Sequence, residues 1–136
     1  MIQTQQGEFR IGSESDIVLA RKIVRDFSTE LGFSLTDVTR IVTAASELAR
    51  NIYRYAGSGL MRWRLLTEGH RVGLELIFED QGPGIPNIEK AMEAGFTTGN
   101  GLGLGLPGSK RLMDEMTIKS KIGQGTVIGV RKWLKQ

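Results

Sequence analysis

The chain has 136 residues, 40% of them hydrophobic and 24% charged, with a net charge of +3; this fits one globular domain with a real core. It contains no cysteine, which excludes disulfides and thiolate metal sites. No segment approaches the roughly 20 apolar residues that cross a bilayer and no charged-then-apolar leader opens the sequence, so a cytoplasmic protein is expected.

In chain order, residues 2–11 read as a first strand. Ser13 or Ser15 can cap a helix over 16–31, whose apolar set is Ile17, Leu19, Ala20, Ile23, Val24, Phe27 and Leu31. Gly32 stands where a C-terminal cap belongs. Ser34 to Asp37 resembles a capping box, with Asp in the place of Glu or Gln. The second helix runs to about Ala56. Val38, Ile41, Val42, Ala45, Leu48, Ala49, Ile52 and Ala56 hold its 3.6-residue period.

Residues 60–67 and 71–79 read as a strand pair joined by the Gly69 turn, with Val72, Leu74, Leu76 and Phe78 alternating. Asp80 continues that parity, so its side chain is expected on the buried side. A loop at 81–86, a short helix over about 87–94, a glycine run and a helix over about 106–115 follow. Residues 116–121 and 125–134 read as a closing hairpin. This pattern predicts an α+β fold, a two-layer sandwich of a mixed, mostly antiparallel sheet with helices on one face. A single domain over 1–136 is expected.

Arginines concentrate at Arg40, Arg50, Arg54, Arg62, Arg64 and Arg71. They form either a solvated basic surface or a contact for an acidic partner. No nucleic-acid-binding motif accompanies them. The one histidine, His70, reads as a hairpin tip and not as part of a Ser-His-Asp triad.

The stretch FTTGNGLGLGLPGSK, residues 96–110, is dense in glycine. Such density suits a backbone that comes close to phosphate. A Walker A loop requires Lys directly after the loop glycine, and here Ser109 precedes Lys110. Gly103, Gly105 and Gly108 match the letters of a dinucleotide fingerprint, but no first strand precedes them and Pro107 interrupts them.

Partners for the run lie elsewhere. Asp80-Gln81-Gly82-Pro83-Gly84 places a carboxylate at a strand end beside two glycines. Alone this is a common turn. It can also accept a hydrogen bond from an exocyclic amine such as that of adenine. Glu47 and Asn51 stand at i and i+4 on the second helix, roughly opposite its apolar stripe. They are either a polar surface pair or a proton acceptor and a hard oxygen donor for Mg²⁺.

Taken in order, ELARN (47–51), EDQGPGI (79–85) and GLGLGLPG (101–108) resemble the N, G1 and G2 boxes of the GHKL ATP-binding family. Gly123-Gln124-Gly125-Thr126 is similar to its final G-x-G-T element. The resemblance implies the family's Bergerat fold, an α/β sandwich, together with ATP and Mg²⁺. It implies Glu47 as the base for an acceptor hydroxyl and Asn51 as the Mg²⁺ ligand. Asp80 becomes the reader of adenine, with Gly82 and Gly84 beside the base. Gly101, Gly103 and Gly105 become phosphate-side glycines, and Thr126 helps to hold the adenine site. Residues 95–102 become a lid over the phosphates, and the following helix turns its N-terminal amides toward them.

The length is similar to that of the small stand-alone members, anti-sigma factors and stressosome switch kinases. The wording SELARNIYRYAG and MEAGFTTGNGLGLGLPGSKRLMDE resembles the switch kinases. That implies a serine/threonine protein kinase acting on a STAS-domain scaffold or antagonist protein, and then on a PP2C-type phosphatase, with no nucleic acid and no membrane. Two alternatives stay open: an anti-sigma factor that grips a sigma factor, and an ATP-binding docking switch without phosphotransfer.

Overall fold

The computed structural model describes residues 6–85, 87–92 and 105–135. Strand β1 (Gln6–Ile11) leads into helices α1 (Glu14–Leu31) and α2 (Leu35–Ala56), then strands β2 (Gly59–Glu68) and β3 (Arg71–Asp80). The one-turn α3 (Ile88–Ala91), α4 (Gly105–Leu112), β4 (Glu115–Lys121) and β5 (Gly125–Trp133) complete the order. The expected lid at 95–102, with Gly101 and Gly103, lies outside the described residues.

The helix ends follow from local chemistry. Ser13 Oγ accepts the Asp16 N–H at 3.2 Å and starts α1. Gly32, at φ 101°, ends it by donating its N–H to the Ser28 and Thr29 carbonyls; a side chain there would be strained. Ser34 Oγ accepts the Asp37 N–H at 3.2 Å, the first half of the expected capping box. The Asp37 carboxylate turns instead to Arg40, at 3.0 Å.

The five strands are ordered β1-β2-β3-β5-β4. Every described pairing is antiparallel, which sharpens the expected mixed sheet. Tight turns at Gly69 (φ 61°) and Gly123 (φ 78°) produce the two hairpins. The inner face carries Met61, Leu74, Leu76, Phe78, Ile128 and Val130, which join Ile41, Ala45, Leu48, Ala49 and Ile52 of α2 in one core. Truncating a residue such as Leu76 to Ala there costs about 2–5 kcal/mol.

Helix α2 lies over β1 to β3, with α1 and α4 packed beside it. Its buried surface is therefore wider than its apolar stripe, and takes in Ala44 and Ser46 as well.

The outer face of the sheet carries matched charges. Arg62 lies 3.5 Å from Glu8 and 2.8 Å from Glu79. Glu75, only 6% exposed, accepts from Arg64 at 2.6 Å and Arg131 at 2.7 Å. The Glu75 hydrogen bond holds the Arg131 guanidinium above its ordinary pKa. Arg71 pairs with Glu68 at 3.1 Å and stacks 3.9 Å above the Trp133 ring.

Candidate functional site

The end of β3 gathers the first part of the site. Asp80 pairs in register with Thr126 of β5, which pairs with Ser120 of β4. Asp80 is half-buried on the inner side, as its parity predicts. A side chain at Gly59 would collide with Ile52 of α2 and crowd the Asp80 Cβ. One Asp80 oxygen accepts the Gly82 N–H at 2.9 Å, closing a local turn. A carboxylate can accept about four hydrogen bonds, so capacity remains for an exocyclic amine.

Thr126 is buried, with Oγ1 2.9 Å from Ser120 Oγ. Ser120 Oγ also accepts the Ile85 N–H at 2.7 Å. Ser120 thus staples the D-x-G-x-G loop to the closing hairpin. Residue type alone does not single it out. Only the register of that hairpin, which sets Ser120 opposite Thr126, points to it.

The loop glycines have a reason the sequence does not disclose. A Cβ on Gly82 would stand 2.7 Å from Ala56 Cβ, and one on Gly84 (φ 82°) would stand 2.5 Å from the Lys121 carbonyl oxygen. Protein occupies the space beside both. Gly125, at φ 122°, is tighter still, because its Cβ would lie 2.1 Å from the Asp80 carbonyl oxygen.

Helix α2 carries the second part. Glu47 keeps 14% of its side-chain surface exposed and accepts from Arg50 Nη1 at 3.0 Å. Asn51 is half-buried one turn on. At 1.5 Å per residue, Asn51 lies about 7.5 Å and Glu47 about 13.5 Å along the axis from Ala56, the neighbour of Gly82. The order away from Asp80 is therefore Gly82, Asn51, Glu47. That order suits a ligand with its base at Asp80 and its reactive end at Glu47.

Helix α4 packs along α2 with Leu106, Pro107, Gly108 and Ser109 buried. Gly105 opens it at φ 66°, and Ser109 Oγ donates to the Gly105 carbonyl at 3.1 Å. Pro107 falls in the first turn, where its missing N–H costs nothing. Among the described residues no group of three or more His, Cys, Asp or Glu side chains could hold a metal. The donor chemistry fits a hard cation held by one amide oxygen together with phosphate and water oxygens, and Asn51 can supply that amide.

Residues 36–136 match the family model of the histidine kinase-, DNA gyrase B-, and HSP90-like ATPases. The chain is 55% identical over 126 residues to the serine/threonine-protein kinase RsbT of Bacillus subtilis (strain 168), covering 93% of this chain and 95% of that one. It is 35% identical to an anti-sigma F factor of Anoxybacillus flavithermus, over 85% of this chain and 82% of that one.

Among solved structures, the RsbU and RsbW domains of a Mycobacterium tuberculosis protein share the fold at a TM-score of 0.59 and 19% identity, over 93% of this chain and 32% of that one. The mycobacterial sensor histidine kinase MprB does so at 0.54 and 20%, over 94% and 97%. With the antiparallel sheet and the flanking helices in place, and with the family model matched over most of its length, the chain belongs to the histidine kinase-, DNA gyrase B-, and HSP90-like ATPase family.

Proposed function

We propose that this chain is an ATP-dependent serine/threonine protein kinase whose acceptor is a STAS-domain scaffold or antagonist protein. The observation that carries the reading is 55% identity to a serine/threonine kinase over almost the full length of both chains. In the proposed step the acceptor oxygen bonds to the γ-phosphorus of ATP. The bond to the bridging oxygen breaks, and ADP leaves with its electrons. Glu47 takes the hydroxyl proton, and Asp80 holds the adenine amine. Gly82, Gly84 and Thr126 shape the adenine side. Gly101, Gly103 and Gly105 approach the phosphates, toward which the start of α4 turns its amides. Bound Mg²⁺, held by Asn51, would neutralise phosphate charge; positioning and charge neutralisation carry most of such a transfer.

The chain acts as one domain in the cytoplasm. Phosphorylation frees it from the acceptor, and it then activates a PP2C-type phosphatase. Intact-protein mass spectrometry of a cognate STAS-domain protein, incubated with this chain and Mg-ATP, tests the reading. One added phosphate is expected. No addition, with ATP binding intact, overturns it. The Asp80→Asn variant should bind ATP about tenfold more weakly in calorimetry, because one acceptor oxygen becomes a donor. Unchanged affinity would remove Asp80 from the adenine site.

A second reading has its own support in the similarity to anti-sigma F factors. In it the chain grips a sigma factor and also phosphorylates an antagonist. Stable co-elution with a sigma factor would favour it.

A further inference from the structure

The outer side of α2 carries a row of cations, around Glu47, that the proposed nucleotide contacts do not use. At 100° per residue, Arg40, Thr43, Glu47, Arg50 and Arg54 fall within about 80° of arc, along about 21 Å of axis. Arg40 and Arg54 are exposed, and Arg50 is partly so. Cations are in surplus here. Asp37 is shared by Arg40 at 3.0 Å and Lys135 at 3.8 Å, and by Lys132 at 4.0 Å, which also reaches Asp114 at 3.6 Å. Arg50 is held by Glu47. Among the described residues Arg54 has no acidic partner. Arg62, Arg64, Arg71 and Arg131 of the sheet face, by contrast, are each met by glutamates.

We propose that this strip is the docking surface for the phosphoacceptor, and that it selects a protein segment that carries carboxylates to one side of the accepting hydroxyl. The inference rests on the kinase reading above and names its substrate class. Glu47 lies at the middle of the strip, so a segment laid along it brings a hydroxyl to the candidate base. An extended stretch of about six residues covers the length. One carboxylate meets Arg54. A second meets Arg50 and draws that guanidinium from Glu47, whose oxygen is then free to take the hydroxyl proton. A basic segment would face like charge at Arg54 and leave Arg50 on Glu47.

The test is steady-state transfer from Mg-ATP to the STAS-domain protein, across acceptor concentration and salt. Arg54→Glu is compared with Arg25→Glu, the same charge change on the exposed side of α1. Binding of a fluorescent ATP analogue reports that each variant is folded. Arg54→Glu should raise the acceptor KM about tenfold and flatten its salt dependence, with kcat and ATP binding within about twofold. Arg25→Glu should leave KM within about twofold. Changing carboxylates near the modified hydroxyl to amides should raise KM for the wild type and add little to Arg54→Glu, the non-additivity of a direct pair. Equal effects of the two arginine variants, or a modified site without nearby carboxylates, would overturn the proposal while leaving the kinase reading standing. ATP binding without transfer by the wild type would overturn the kinase reading, and the docking strip with it.

Discussion

The two arginine-rich faces of this molecule use the same residue type for different ends. On the outer sheet face, Arg62, Arg64, Arg71 and Arg131 are each held by glutamates from neighbouring strands. Glu75 is shielded by two guanidiniums that lie about 2.6 and 2.7 Å away. On the outer side of α2, cations share too few acids, and the partly buried carboxylate of Glu47 has Arg50 on one side. A net basic charge is therefore a poor guide to a partner surface. What matters is which cations the fold has already neutralised.

Four variants separate the faces, from the largest expected effect to the smallest. Glu47→Ala should lower single-turnover phosphoryl transfer by at least about 100-fold, with stability within about 0.5 kcal/mol. Stability lost together with activity would put Glu47 in the same structural class as Glu75. Glu75→Ala should do the reverse. It leaves Arg64 and Arg131 without their shared acceptor, at a cost of about 2 kcal/mol, below the fully buried case because both guanidiniums keep water contact. The urea midpoint should fall while the folded protein binds ATP normally. An unchanged midpoint would show that the ladder adds nothing.

Lys132→Met keeps the bulk of a buried stem but removes an ammonium that donates to the Leu112 carbonyl at 2.9 Å, at the end of α4. A loss of about 1–2 kcal/mol is expected. It should hardly vary with salt, because the group is buried; a strong salt dependence would contradict that burial. Arg54→Glu should move stability least, within about 0.5 kcal/mol. A larger loss on thermal melting would place Arg54 with the structural arginines.

Much of the fold is legible residue by residue. Ser13, Gly32 and Ser34 mark helix ends because capping is satisfied within a few residues. The strand β3 shows its inward side by alternation, which carries Asp80 with it. The candidate site residues come from the motifs, and the register sets two of them, Asp80 and Thr126, side by side across β3 and β5. Less was visible where a residue's neighbours come from distant sequence. The spacing of Glu47 and Asn51 indicates a side opposite the apolar stripe, yet both are partly covered.

The sequence by itself determined the helices, the hairpins, the inward side of β3 and the order of the boxes. These depend on backbone preference and on periods of two and 3.6 residues. Tertiary structure alone decided that Ser120 staples the Asp80 loop, that Gly82 makes room for Ala56, that Lys132 is buried against Leu112, and which arginines stay unmatched. Each of these depends on register and packing between segments far apart in the chain, and a side chain's charge or size says nothing about what the fold sets beside it.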